Sequence, residues 1–181
     1  MDLHASNCLA LPRASLGALR SALIRDTGGG FAGYLQEAGY AGGEAVFAAF
    51  RSWLSQRGED VEALDLPAFQ ARATDFFRAA GWGGVTIASV SDVVAMVDSG
   101  DWAEADPLSA LPYPSCHYTT GMFADFFGRT AAAPLSVLEV ECRSSGSPHC
   151  RFLVGATEVM GHLYERMAAG EGYENAAKSL A

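Results

Sequence analysis

The sequence predicts an α+β domain in which an antiparallel sheet of about four strands packs with helices. Up to about residue 80, apolar side chains recur at helical spacing and glycines separate the repeats. Beyond Gly81 the period changes, and β-branched residues replace the helical pattern. Because helices precede and follow a set of mostly adjacent strands, we expect these strands to pair in an antiparallel sheet.

Four helices are predicted before the sheet. They cover residues 12–27, 31–38, 45–54 and 65–80. The glycine-rich runs DTGGGFAG and GYAGG separate the first three, and we interpret them as helix breaks because they lack the preceding strand of a phosphate-binding loop. Asp65 has the side chain of an N-cap, and Pro67 suits the first turn of the fourth helix.

The central part of the chain changes from strand to loop to helix. Residues 85–97 are rich in valine and predict two strands or one bent strand. Residues 98–114 contain three prolines and four acidic residues, which predicts a loop crossing the surface. Helical spacing returns in residues 115–127, where we expect Ser115 to cap the helix and Gly128 to end it.

A β-hairpin and a last helix complete the predicted fold. Residues 136–142 alternate in character, which predicts a strand with Glu139 and Glu141 on the same face. After a polar turn, residues 151–154 form the returning strand. Residues 157–168 predict the last helix, and the polar tail beyond it is expected to fray.

The composition is that of one globular domain. Of the 181 residues, 50% are hydrophobic and 18% are charged, which is enough chain and enough apolar surface for one core. We therefore treat residues 1–181 as a single domain. Its helical half covers about residues 12–80, and the half with strands and cysteines covers about residues 84–169.

Charge and hydropathy argue against two classes of partner. The net charge is −9 and the 12 basic residues are scattered, so the chain has no basic patch that would bind nucleic acid. The N-terminus lacks the features of a secretory signal, and polar residues interrupt every apolar run before the roughly 18 residues of a membrane span. We expect a cytoplasmic protein with no membrane span and no nucleic-acid partner.

Three cysteines form the densest group of metal-capable side chains in the sequence. Cys142 and Cys150 bracket the predicted hairpin turn, and Cys116 opens the predicted aromatic helix. Zinc prefers four tetrahedral ligands from cysteine, histidine and carboxylate, and a structural site uses all four positions. Without an export signal, free thiols or metal ligands are favoured over disulfides.

Spacing alone leaves the fourth ligand open. Glu139 lies three residues before Cys142, and on a regular strand two such residues point to opposite faces. Both bind one ion only if the strand bulges or ends near Glu141. Glu141, His117 and His149 are the alternatives, since each adjoins one of the cysteines. Buried thiols without a metal are an equal alternative on this basis.

The stretch CHYTTGMFADFFGRTAAAPLSVLEVECRSSGSPHCRFLVG combines these residues in one pattern. A cysteine opens a helix, a glycine follows, a strand ends Glu-x-x-Cys, and a seven-residue turn leads to a cysteine before an aromatic-containing strand. The residues that fit are Cys116, Gly121, Glu139, Cys142, Cys150 and Phe152. In this pattern the chain resembles the vinyl-4-reductase domain family, a family of small-molecule-binding domains.

The resemblance implies a site and a pocket. In the sensory domains of phenol-responsive activators, residues matching Cys116, Glu139, Cys142 and Cys150 hold a structural zinc ion beside a hydrophobic pocket. The resemblance also implies the α+β fold shared with Golgi transport-particle subunits. Candidate pocket residues surround the cluster in sequence: Trp102, Tyr113, Tyr118, Met122, Phe123, Phe126 and Val137. Ordinary core is the alternative for such an aromatic stripe, because a helix buries one face.

These features favour a module that binds a small hydrophobic, aromatic or tetrapyrrole ligand and signals through a homodimer or a protein partner. No catalytic residue is predicted, because His4, His117, His149 and His162 belong to no nucleophile constellation. The family name suggests one alternative, an accessory or pigment-binding protein of bacteriochlorophyll 4-vinyl reduction. The sequence offers that reaction no nucleotide-binding glycine motif. The other alternative is a protein-interaction module.

Overall fold

The computed structural model describes residues 7–180 and confirms the α+β class. His4 lies outside the described residues. The elements in chain order are helices α1 (Arg13–Thr27), α2 (Phe31–Ser55) and α3 (Leu66–Ala79), strands β1 (Thr86–Ser89) and β2 (Val94–Ser99), helix α4 (His117–Ala131), strands β3 (Leu135–Glu141) and β4 (Cys150–Ala156), and helices α5 (Thr157–Ala168) and α6 (Tyr173–Lys178).

The four strands form one antiparallel sheet, as the sequence predicted, and the structure shows their order to be β1-β2-β4-β3. Two hairpins, β1–β2 and β3–β4, meet where β2 pairs with β4. In this central pairing Val94 lies opposite Gly155, and Ser99 lies opposite Cys150. The sheet therefore joins the valine-rich region to the cysteine-containing hairpin, and β3 lies at an edge.

A hydrophobic core lies on each face of the sheet. Phe152 faces α2, α3 and α4, where fully buried aromatic rings such as Phe50, Phe77 and Phe126 pack edge to face. Leu153, the next residue, joins the smaller core formed with α5 and α6. Successive side chains of a strand point to opposite faces, so one strand supplies both cores.

Helix α2 is continuous where the sequence predicted two helices, so the expected break at GYAGG was wrong. A β-carbon added to Gly39 would lie 2.0 Å from the carbonyl oxygen of Tyr118, and one added to Gly121 would lie 2.0 Å from that of Gln36. The glycines thus allow the backbones of α2 and α4 to touch. This packing outweighs the low helix propensity of glycine, about 1 kcal/mol per residue.

Other predicted helix boundaries had mixed outcomes. Asp65 caps α3 as expected, because its Oδ1 accepts a hydrogen bond from the amide of Ala68 at 2.8 Å. The run DTGGGFAG does separate helices, through a 3₁₀ turn at Gly28–Gly30. Gly128, however, does not end α4, which continues to Ala131 and is followed by Ala132 in the left-handed region with a φ of 51°.

The tail forms a helix over Tyr173–Lys178, so the expectation that it frays was wrong for these residues. Helix α6 buries Ala176 and Ala177 in the smaller core. The hydroxyl of Tyr173 also donates a hydrogen bond to Glu141 at the end of β3. Two small apolar residues are a weak pattern in the sequence, and only their contact with the sheet face makes this short helix stable.

Within residues 7–180, no helix has both the length and the hydropathy needed to cross a bilayer.

Candidate metal centre

The fold brings Cys116, Glu139, Cys142 and Cys150 together in the interior. One ligand atom of each lies within 4.8 Å of the others, and all four residues are buried. The sulfur of Cys116 is 3.7 Å from that of Cys142 and 3.9 Å from that of Cys150. Cys116 directly precedes α4, while the other three residues come from the β3–β4 hairpin.

A β-bulge in strand β3 places Glu139 in this cluster. Glu139 lies opposite Phe152 and Glu141 opposite Arg151, so the register shifts between the two glutamates. The expectation that the two glutamates share a face was therefore wrong. The carboxylate of Glu141 instead accepts hydrogen bonds from Arg151 at 2.7 Å and from Tyr173. The bulge satisfies the condition under which Glu139 and Cys142 reach one ion.

The two histidine alternatives lie apart from the sulfurs. The ring of His117 packs edge-on against Phe31, with 5.1 Å between centroids. Nδ1 of His149 is 2.9 Å from a carboxylate oxygen of Asp98, an ion-pairing distance when the imidazole is protonated. In the described part of the chain, the geometry thus groups Glu139, and none of its alternatives, with the cysteines.

The spacing of the cluster fits a tetrahedral metal ion. A Zn–S bond of about 2.3 Å implies about 3.8 Å between sulfurs at tetrahedral angles, which matches the two observed separations. Oε2 of Glu139 accepts a hydrogen bond from the Cys116 amide at 2.7 Å. Oε1 of Glu139 is buried without a hydrogen-bond partner. A buried acceptor without a partner costs about 1–3 kcal/mol, and a bound cation would remove this cost.

Burial sets the protonation of the cluster. It raises the pKa of the Glu139 carboxyl and that of the Cys116 thiol. Hydrogen bonds from Cys116 and Cys150 lower the pKa of Cys142, whose sulfur accepts both. Several ionised groups cannot share a buried site without a counter-charge. The four residues can therefore hold a metal ion, and a cation would allow all of them to ionise.

Glu104 is a buried carboxylate that the sequence analysis missed. It lies in the segment predicted to be a surface loop, yet it is only 5% exposed. It accepts hydrogen bonds from the amides of Tyr118 at 3.0 Å and Thr119 at 2.7 Å, in the first turn of α4. Burial, opposed by these hydrogen bonds, raises its pKa to about 7. The loop contains four acids, and no sequence pattern distinguishes this one.

Arg20 is a second residue that the sequence analysis missed. Although it lies on α1, far from the cysteines in sequence, it is only 5% exposed. Its Nη1 donates hydrogen bonds to the Glu104 carbonyl at 3.1 Å and to the Ser115 hydroxyl at 3.2 Å. The Ser115 oxygen lies 3.9 Å from the sulfur of Cys142. Ser115 therefore contacts the cluster. It does not cap α4 as the sequence predicted, because the N-cap residue of α4 is Cys116, whose side chain makes no capping hydrogen bond.

Four of the predicted pocket residues lie in the larger core. These are Trp102, Met122, Phe123 and Phe126, all with no exposed surface. The indole N–H of Trp102 donates a hydrogen bond to the Thr119 hydroxyl at 2.6 Å, and its ring stacks on Trp82. Trp102 thus lies inside the molecule, because its polar atom has a partner there.

The other three pocket candidates lie nearer the surface. Tyr118 is half-buried and stacks on Trp82 with 5.8 Å between centroids. Tyr113 is 37% exposed, and its ring packs against that of Phe31. Val137 lines a cavity of about 510 Å³ between α2, α4 and β3. The residues lining this cavity are Gln36, Glu37, Tyr40, Ala41, Thr120, Gly121, Ala124, Leu135, Ser136 and Val137.

Sequence comparison finds one family model that matches part of the chain. The family model of the vinyl-4-reductase domain matches residues 101–156, a span that contains all four residues of the cluster. No curated protein sequence matches the chain significantly.

Several solved structures share the fold. The phenol-responsive sensory domain of the transcription activator PoxR, solved with phenol, has a TM-score of 0.64 at 18% identity, with coverage of 83% of this chain and 77% of that one. A vinyl-4-reductase family protein from Methanocaldococcus jannaschii has a TM-score of 0.53 at 12% identity, covering 84% and 87%.

A third similar structure is a trafficking protein particle complex subunit 3 from Naegleria fowleri, covalently bound to palmitic acid. Its TM-score is 0.57 at 11% identity, and the alignment covers 79% of this chain and 91% of that one. At these identities the likeness shows the fold alone. The resemblance seen in the sequence is confirmed: residues 101–156 match the vinyl-4-reductase domain, within a fold that this chain shares with vinyl-4-reductase and trafficking-particle proteins.

Proposed function

We propose that this protein is a small-molecule-binding sensory module built around a structural zinc ion. The observation that carries the proposal is the buried group of Cys116, Glu139, Cys142 and Cys150, with sulfur separations suited to one tetrahedral ion. Four protein ligands leave no open position for substrate or water, so the ion holds α4 against the β3–β4 hairpin and takes no part in chemistry.

The ligand in this proposal is a small hydrophobic molecule that enters the cavity between α2, α4 and β3. This cavity is an open groove, and its volume of about 510 Å³ is within the range of small-molecule sites. Apolar side chains dominate its walls, and Gln36 and Thr120 supply polar groups joined by a hydrogen bond of 3.3 Å. Two of the similar structures hold phenol and palmitic acid, which are mainly apolar molecules with one polar end.

The pocket candidates have two roles in this proposal. Val137 contacts the ligand, and the buried rings of Trp102, Phe123 and Phe126 belong to the core that supports α4 and the sheet and do not line the cavity. A ligand that binds one arrangement more tightly shifts the population toward that arrangement. We propose that a homodimer or a partner protein detects this shift in the cytoplasm, with residues 1–181 acting as one domain.

The experiment that tests the function is native mass spectrometry of the purified chain, with metal analysis and organic extraction. We expect one zinc ion per chain, a dimer, and an apolar molecule in the extract. A tetrapyrrole in the extract would favour the pigment-binding alternative.

A matched pair of cysteine variants tests the structural role of the metal. Cys142→Ser removes a ligand, so we expect it to lose zinc and to melt several degrees below the wild type. Cys8→Ser changes a cysteine outside the cluster, and we expect this variant to keep its zinc and the melting temperature of the wild type. Wild-type protein without zinc, or a Cys142→Ser variant with unchanged zinc content and melting temperature, would refute the proposal.

A further inference from the structure

The proposed metal centre carries an electrostatic problem. Three thiolates and one carboxylate around a divalent cation have a net charge of −2, and the residues that supply this charge are buried in an aromatic core. An uncompensated buried charge is costly, so a favourable site needs positive charge or hydrogen-bond donors nearby.

Part of the compensation comes from helix α4. Its N-terminus carries partial positive charge, and the amide of Cys116 donates directly to Glu139. Glu104, however, places a second carboxyl group on the same helix end, where it accepts from Tyr118 and Thr119. The N-terminus of α4 therefore donates hydrogen bonds to two acidic groups, and compensation of the negative charge at the metal centre needs a further positive group.

Arg20 has the position and burial to be that group. It is the buried basic side chain of residues 7–180, and it reaches the Ser115 hydroxyl at 3.2 Å and the Glu104 carbonyl at 3.1 Å. Arg151, a partly buried guanidinium on the hairpin itself, is already paired with Asp98 and Glu141. Arg20 makes no hydrogen bond to a carboxylate, although its charge acts on the nearby Glu104 carboxyl and opposes the rise in pKa that burial causes there. A buried charge is expensive, and the position of Arg20 lets it compensate the cluster as well.

Ser115 connects this arginine to the cluster. A hydroxyl has one donor and two acceptor positions. The oxygen of Ser115 accepts from Arg20 and lies 3.9 Å from the sulfur of Cys142, which is within hydrogen-bonding reach for sulfur. With the acceptor position filled by Arg20, the hydroxyl hydrogen is available to Cys142. In a series of linked hydrogen bonds each bond polarises the next, so the bond from Arg20 strengthens the hydrogen bond from Ser115 to the Cys142 thiolate.

We propose that Arg20 is a positioning and charge-compensating residue of the metal centre, which acts through the Ser115 hydroxyl on the Cys142 thiolate. This inference rests on the proposed zinc site. It assigns helix α1 a direct role in metal affinity, although α1 contributes no ligand.

The test is a competition for zinc between the purified holoprotein and a chromophoric chelator. Outer residues that support metal ligands typically contribute 10- to 100-fold in affinity, so we expect Arg20→Met and Ser115→Ala each to bind zinc at least about tenfold more weakly. The double variant should be no more than about threefold weaker than the weaker single variant, because both substitutions interrupt one path. Arg25→Met, on the same helix but exposed, is the control and should match the wild type.

A spectroscopic readout separates this role from a merely structural one. In the cobalt-substituted protein, we expect the sulfur-to-metal charge-transfer bands to shift in Arg20→Met and Ser115→Ala and to stay unchanged in Arg25→Met. If Arg20→Met does not fold, Ser115→Ala decides the outcome, since it removes one oxygen atom. Unchanged affinity and spectra in a folded Ser115→Ala variant, or additive losses in the double variant, would overturn the proposal. Absence of zinc from the wild type would instead refute the proposed function itself.

Discussion

At the scale of residues, side-chain carboxylates determine how α4 begins. The first amides of a helix have no acceptors within the helix. Glu139 accepts from the Cys116 amide, and Glu104 accepts from those of Tyr118 and Thr119. Both acids come from other segments of the chain, so they hold the N-terminus of α4 and also fix the position of Cys116. A buried donor that lost its acceptor would cost about 1–3 kcal/mol.

The ionisation of Glu104 should make the free energy of unfolding depend on pH. Its pKa rises from 4.5 to about 7 on folding, so between these values the folded state holds a proton that the unfolded state releases. Its stabilising contribution is complete below the unfolded pKa and is lost as the pH rises through the folded pKa. We expect Glu104→Gln, which cannot ionise, to reduce the loss between about pH 5 and pH 8 by about 2–3 kcal/mol in urea unfolding.

The matched control for Glu104→Gln is Glu165→Gln, an exposed substitution on α5. This control should keep the pH dependence of the wild type. If Glu104→Gln also keeps it, Glu104 is ionised in the folded protein throughout this range and the prediction is wrong.

At the scale of elements, the contact between α2 and α4 orients the end of α4 that carries Cys116. Gly39 on α2 and Gly121 on α4 place each backbone against a carbonyl oxygen of the other helix. Gly43 adds a third close approach, to the side chain of Asp125. Because the interior is densely packed, neither helix can move to admit an extra methyl group without disturbing the hairpin behind it.

Alanine substitutions should separate the effect of the α2–α4 contact on stability from that of helix propensity. In Gly121→Ala the new β-carbon would meet backbone 2.0 Å away, so we expect a loss of about 3 kcal/mol or more in the free energy of unfolding. Gly33→Ala, on α2 with nothing within 4 Å, should instead stabilise by up to about 1 kcal/mol. Thermal melting compares the two variants. Equal melting temperatures would show that the helices do not cross this closely.

At the scale of the whole molecule, three layers meet at one edge. Helices α2 and α4 cover one face of the sheet, α5 and α6 cover the other, and the edge strand β3 contacts both layers. The cavity lined by Val137 opens where α2, α4 and this edge strand meet. Candidate metal site and cavity therefore share β3 and α4, and a ligand in the cavity would contact both elements that the proposed zinc ion joins.

Filling the cavity should abolish ligand binding without loss of the metal. We expect phenol or palmitic acid to raise the melting temperature of the wild type, and Val137→Phe to lose this shift while keeping its zinc. Val93→Phe, at a 42% exposed position outside the cavity, should keep the shift. Binding that survives Val137→Phe would place the ligand elsewhere, and no response to either probe would exclude both as ligands.

Local patterns were sufficient to predict much of the fold. Local patterns predicted the cap at Asp65, the helix Thr157–Ala168, the β3–β4 hairpin and the three cysteines of the candidate metal site. For residues 85–97 they left two strands or one bent strand open. Helical and strand periodicity depends on neighbours in sequence, and the cysteine spacing follows one hairpin and one helix start. The resemblance, and not the spacing, selected Glu139 as the fourth ligand.

Only the tertiary structure revealed the long-range contacts. Arg20 meets Glu104 and Ser115 across 84 and 95 residues, and no local period encodes such a pairing. The glycines of α2 resemble helix breaks until α4 lies against them, and the acidic loop resembles surface until Trp102 and Glu104 are seen to be buried. Local sequence patterns therefore determined most of the elements and the three cysteines that can bind a metal, and the family resemblance added Glu139. Packing between distant segments determined which polar groups are buried and what compensates them, because that free energy depends on contacts that only the folded chain makes.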